Sequence, residues 1–166
     1  MATLIAIPLL SVLVIFQSAV LGRIPLLQGV PDLVLLFITA WALQERVRSA
    51  WQWALLGGLL VGYLSYLPMA IPISSYLFAT ALALVFRRRI WRIPVLAMFV
   101  TVFVANLANH LASGLYLSIT NAPIPILPAF NRIVLPSLIL NLLLVIPVYA
   151  LMKDLAQWLY PEEIEI

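Results

Sequence analysis

Few side chains in this sequence can do chemistry, and they fall into two groups. The first is Asn106, Asn109 and His110, whose spacings of three and four put all three on one face of a helix. Asn141, in the apolar stretch that follows, is placed to face them. Amide and imidazole groups in this pattern support hydrogen bonding. They can build a small-molecule pocket or a partner-helix contact, or they can tie the fifth and sixth helices to each other. The second group is cationic: Arg87, Arg88 and Arg89, with Arg92 close behind. Such a cluster fits anionic lipid or a cytoplasmic partner, or it anchors topology.

Catalysis is not among these readings. His110 is the only histidine and cysteine is absent, so no divalent-metal site follows. An intramembrane aspartic site needs two facing acids. Asp32 sits near the end of its apolar stretch, and the other acids fall in loops or the tail. Ser113 and His110 lie three apart on one helix, whereas a rhomboid-type serine protease takes the pair from two helices. The chain therefore reads as a non-enzyme with no catalytic, cofactor-binding or metal residues and no cofactor.

The elements that must position these side chains are membrane helices. Of 166 residues, 65% are hydrophobic and only 9% charged, against about 25% charged in an ordinary soluble domain. The sequence predicts an all-α membrane protein, one domain over 1–166, with spans at about 2–22, 30–44, 50–67, 72–86, 94–119 and 133–152. The first is read as an uncleaved helix, since no basic leader precedes it. The second has the shortest apolar core, and Asp32 after Pro31 suits a helix start. Pro68 and Pro72 separate the third and fourth spans. Pro123, Pro125 and Pro128 predict an extended outer loop over 121–131. Residues 153–166 are expected to form a short interfacial tail, a helical extension that stops at Pro161 and an acidic end.

Seven of the nine basic residues fall in loops on one side, namely Arg46, Arg48, Arg87, Arg88, Arg89, Arg92 and Lys153; Arg23 and Arg132 fall on the other. The positive-inside rule then places both termini in the cytoplasm. The +3 net charge is assigned to these loops rather than to nucleic-acid binding. Trp41, Trp51, Trp53, Trp91 and Trp158 are expected at the cytoplasmic interface. Gly58 and Gly62, with Gly57 adjacent, permit close helix approach, within the chain or to a partner.

Three segments carry a family resemblance over the length of the chain. They are Gln17-Ser18 late in the first span, Gly29-Val30-Pro31-Asp32-Leu33 opening the second, and Leu135-Pro136-Ser137-Leu138-Ile139-Leu140-Asn141 with Pro147-Val148-Tyr149 in the last. In this order and placement the chain resembles the rod shape-determining protein MreD family of bacteria. The middle departs from the pattern. Family members often carry an aspartate near the end of the third span and a Leu-Gly pair after the following turn, where this chain has Ser65-Tyr66 and Ile73-Ser74.

The resemblance implies a non-enzymatic inner-membrane scaffold of the cell-elongation machinery. Its partners would be an MreC-like bitopic protein, a RodA-type glycosyltransferase, a transpeptidase and the actin-like MreB, all serving peptidoglycan synthesis. The loop side chains Ile124, Ile126, Leu127 and Phe130 are the candidate partner contacts. In size and span number the family also resembles substrate-binding subunits of energy-coupling-factor vitamin transporters. On that alternative, Asn106, Asn109, His110, Tyr116 and Asn141 would line an outer pocket. The lack of a carboxylate or arginine within the spans counts against it.

Overall fold

In the computed structural model, residues 2–21, 29–89, 93–120 and 126–161 are described. Arg23, Trp91, Arg92, Asn121 and Ile124 lie outside them, as do the side chains of Arg89 and Ile126. Among the described residues every regular element is helical: α1 (Ala2–Ala19), α2 (Leu33–Ala42), α3 (Ala50–Leu64), α4 (Ala70–Arg89), α5 (Pro94–Ile119), α6 (Ile126–Ala129), a π turn (Phe130–Val134) and α7 (Leu135–Leu159).

Local chemistry accounts for most of the boundaries. Asp32 caps α2 by accepting from the Leu35 amide at 2.9 Å. Pro94 opens α5 at a position where its missing N–H costs nothing. Between α3 and α4, Ser65 is extended and its hydroxyl accepts from the Leu67 amide at 3.0 Å. Pro68 lies in that connection, and Pro72 falls within the first turn of α4.

The proline-rich segment differs from expectation, because its described residues, 126–131, are helical rather than extended. Pro128 sits in the first turn of α6, which tolerates it. Pro136 has no N–H, and in a regular helix its ring would strike the carbonyl one turn earlier. The wider π turn directly precedes it, closed by the Leu135 amide on the Phe130 carbonyl. α6, the π turn and α7 thus make one helical rod, Leu127–Leu159. The expected helical extension after the last span is continuous with it. Residues 153–159 continue α7, with Met152 and Ala156 buried in the bundle.

Long-range hydrogen bonds show how the helices run. Thr3 in α1 donates to Gln52 in α3, and Gln17 in α1 accepts from Leu33 in α2. Arg87 at the end of α4 reaches the end of α2, and Arg46 donates to the Tyr160 carbonyl beyond α7. Ser75 near the start of α4 donates to Asn109 in the later half of α5. The six longer helices therefore alternate up and down. The start of α1 and the end of α7 share one end of the bundle with Arg46, Arg48, Arg87, Arg88 and Lys153, hereafter the basic end. The opposite, amide end holds the starts of α2, α4 and α7.

Among the described residues, three helices are long and apolar enough to cross a membrane: Ala70–Arg88, Pro94–Ile119 and Leu127–Leu159. Thr3–Ala19, Leu33–Ala42 and Ala50–Leu64 are apolar but shorter. The exterior is that of a lipid-facing bundle, with Val12, Ile15, Leu111, Leu115, Leu143 and Ile146 exposed while Thr80, Thr101, Asn106 and Asn141 are buried. α2 stands apart. Its ten residues span about 15 Å, half of a hydrocarbon core of about 30 Å. All but Phe37 are buried, and α2 touches α1, α3, α4, α5 and α7. It is the axis of the bundle, not a wall.

Two tryptophans expected at the interface belong to this interior. Trp41 and Trp53 are fully buried and stack at 4.4 Å with 21° between their planes, and Trp41 donates to Ser49 at 3.2 Å. Trp51 and Trp158 are exposed, as an interfacial belt requires. The glycines of α3 are used within the chain. A Cβ on Gly57 would meet Ile38 and Val34 of α2, and one on Gly58 would lie 2.7 Å from the Ile73 backbone of α4. Gly58→Ala is expected to lower stability by about 1–3 kcal/mol, while Gly114→Ala, with open space around it, should be neutral or gain up to about 1 kcal/mol. Unfolding midpoints in detergent check this, and equal effects at the two positions would contradict the close α3–α4 approach.

Candidate functional site

The first amides of a helix have no partner inside it, and a bilayer interior supplies no water for them. At the start of α2 the sequence meets this need with Asp32 and with side chains from two other helices, α1 and α7. Gly29 lies so close to Pro136 and Ser137 that any side chain there would collide with the α7 backbone. The Val30 amide donates to the Ser137 hydroxyl at 3.1 Å, and the Asp32 amide donates to Asn141 Oδ1 at 2.7 Å. The Leu33 amide donates to Gln17 Oε1 of α1 at 2.9 Å. Asp32 takes the Leu35 amide itself. From α4, the buried Tyr76 hydroxyl donates to the Asp32 carboxylate, 2.9 Å from each oxygen. A carboxylate at a helix N-terminus also meets the positive end of the dipole.

Beside this node is a cavity of about 200 Å³, lined among others by Gln17, Asp32, Tyr76, Asn106, Asn109 and His110. Asn106 is buried and its Oδ1 has no hydrogen-bond partner among the described residues. Asn109 Oδ1 accepts from Ser75 at 3.0 Å, which ties α5 to α4. The structure therefore brings Asn106, Asn109 and His110 together on the cavity wall. It places Asn141 elsewhere: Asn141 holds the Asp32 amide in the neighbouring node, and its Nδ2 lacks a partner. The expected pairing of the α5 face with Asn141 is replaced by pairing with α4. Among the described residues, no three His, Cys, Asp or Glu side chains group as metal ligands do.

Asp32 is the residue whose place the sequence misjudged. It is close to the end of a helix but not to the end of the bundle's polar interior, since its short helix begins inside the packed structure. A carboxylate thus stands in the cavity wall, contrary to the expectation that none is available there. Acid-after-proline before an apolar run signalled the cap. Nothing in the sequence signalled that Tyr76 and Asn141 would bond to it, or that Gln17 and Ser137 would take the neighbouring amides.

The basic end is built on a second set of contacts. Arg87 Nη1 donates to the carbonyls of Ala42 at 3.1 Å, Gln44 at 2.7 Å and Val47 at 3.0 Å, closing the C-terminal end of α2. Arg87 therefore turns inward, while Arg88 is exposed. Of the candidate partner contacts, Leu127 and Phe130 are exposed on the helical rod that replaces the expected loop. No family model matches this chain, and no curated protein or solved structure matches it either.

The node yields a coupling prediction. Tyr76→Phe should cost about 1–2 kcal/mol, and Asp32→Ala about 2–3 kcal/mol because the cap and the Tyr76 partner go together. The double variant should cost about 1 kcal/mol less than the sum. A double-mutant cycle of unfolding in detergent measures this, and strict additivity would mean that the two side chains do not meet.

Proposed function

We propose that this chain is a non-enzymatic scaffold of the bacterial inner membrane, of the MreD kind. On this reading it crosses the bilayer with all six longer helices, α2 filling a core position, and both termini are cytoplasmic. It holds an MreC-like bitopic partner and, with it, the glycosyltransferase, transpeptidase and actin-like components of cell elongation. The observation that carries the reading is where the family-like segments meet. Gln17 from the first, Val30 to Leu33 from the second, and Ser137 and Asn141 from the third form one hydrogen-bonded node. A resemblance scattered along the chain is thereby one physical unit.

Sidedness rests on the basic end. The described Arg46, Arg48, Arg87, Arg88 and Lys153 collect there, while Arg132 lies at the amide end, which suits a cytoplasmic basic end. Partner contact is assigned to exposed apolar side chains at membrane depth and at the outer rim. Leu4, Val12 and Ile15 offer it on α1, and Leu127 and Phe130 at the start of the last rod.

One observation favours a second reading, a substrate-binding subunit of an energy-coupling-factor type transporter. The cavity beside Asp32 lies at the amide end and has polar groups in its walls, including an Asn106 oxygen with no partner among the described residues. The two readings differ in what accompanies the chain. Affinity capture of the full chain from native bacterial membrane, read by mass spectrometry, is expected to recover an MreC-like bitopic protein. Recovery of a transporter ATPase module in its place would overturn the scaffold. With the partner in hand, Leu127→Ser combined with Phe130→Ser should reduce capture several-fold at unchanged thermal stability. Undiminished capture would remove the outer rim from the interface and leave α1.

A further inference from the structure

We propose that the cleft at the basic end binds the headgroup of an anionic phospholipid. The cleft has a volume of about 600 Å³ and lies between the α2–α3 connection, the end of α4, the start of α5 and the end of α7. Three cations line it, Arg46, Arg87 and Lys153, against one acid, Glu45. Its lining also includes apolar side chains, among them Leu43, Phe86 and Ala97. A lining that sets three cations beside apolar side chains fits a phosphate with attached acyl chains better than a wholly polar solute.

The cationic groups are held in place before any ligand arrives. Arg87 is fixed through Nη1 by three carbonyls, and its other N–H donors lie on Nε and Nη2. Arg46 is fixed on the Tyr160 carbonyl at 3.2 Å. Pre-ordered cations lose less entropy on binding than free surface side chains. Lys153, one helical turn beyond Tyr149 on the cleft wall, is exposed and adds a mobile charge.

A separate observation sets the depth. Trp51 and Trp158 are 47% and 74% exposed and belong to this same end of the bundle. Exposed tryptophan marks the headgroup level of a bilayer. The cleft thus opens where lipid phosphates lie, and basic pockets between membrane helices on the cytoplasmic side suit anionic headgroups. This differs from a surface charge run: Arg87 acts from inside the cleft, and Arg88 is not part of its lining. The inference requires only that the basic end meet a membrane surface, and holds for either function proposed above.

The test uses the purified full chain in a neutral detergent. Native mass spectrometry would titrate dioleoylphosphatidylglycerol, dioleoylphosphatidylcholine and sodium phosphate separately. Phosphatidylglycerol should bind at low stoichiometry, and phosphatidylcholine should bind far more weakly. Each basic group near an anionic headgroup contributes about fivefold, so Lys153→Gln should weaken binding about fivefold and Arg46→Gln with Lys153→Gln about 25-fold. Arg48→Gln and Arg88→Gln, exposed at the same end but outside the cleft, should bind like the original chain. Lys153→Gln touches no hydrogen bond that holds the fold, so its thermal midpoint without lipid should be unchanged. Equal losses in the cleft and control variants would overturn the site in favour of diffuse surface attraction. Equal binding of the two lipids would overturn its charge selectivity. Displacement of phosphatidylglycerol by millimolar phosphate would overturn the lipid as the source of the anion.

Discussion

The structure depends on a backbone constraint: α2 is a ten-residue helix buried in an apolar bundle, and both of its ends must be satisfied without water. Such a helix would be marginal alone, since nucleation is costly and short helices do not repay it. Here its amides are closed by Ser137, Asn141, Gln17 and Asp32, and its carbonyl end by Arg87. The charges also have the favourable sense, with an acid at the amino end and a guanidinium at the carboxyl end. Because the donors and acceptors come from α1, α4 and α7, satisfying α2 fixes the register of the outer helices. Gly57 lets α3 close the remaining side, against Val34 and Ile38.

Much of this was legible at the level of elements. Apolar length, proline placement and the Asp32 cap mark the helices, and the basic asymmetry matches the grouping of cations at one end. What was hidden has a common cause. A single sequence shows which segments are apolar, but not whether an apolar helix faces lipid or other helices, since both environments accept the same side chains. α2 therefore reads as an ordinary lipid-facing span when it is enclosed by the other helices. Trp41 and Trp53 read as interfacial when they stack in the core, and Arg87 reads as part of a surface run when it closes α2. The 121–131 segment shows a different failure. Pro123, Pro125 and Pro128 argue for extended chain, but Pro128 falls in the first turn of a helix, which tolerates it.

The candidate site was half legible. Helical spacing was enough to group Asn106, Asn109 and His110, because a period is local. Their partner was not, because Ser75 and the Asp32 node are joined to them only through the packing of α2, α4 and α5. The two ends of the bundle consequently differ in character. The amide end encloses a small polar cavity behind a hydrogen-bonded node, and the basic end opens as a wide cationic cleft at tryptophan level. The functional proposals rest on these two ends and on the apolar flanks between them.

The account stands on α2 being enclosed. Single cysteines at each position from Leu33 to Ala42, in a chain that has none of its own, can be labelled in liposomes with a lipid-soluble maleimide. Leu111 and Leu143, both exposed on outer helices, set the scale for full reaction. The account expects labelling at position 37 alone, where Phe37 is half-buried, and protection at the other nine. A stripe of labelling at helical spacing along α2, as strong as at 111 and 143, would show a lipid-facing span and contradict it.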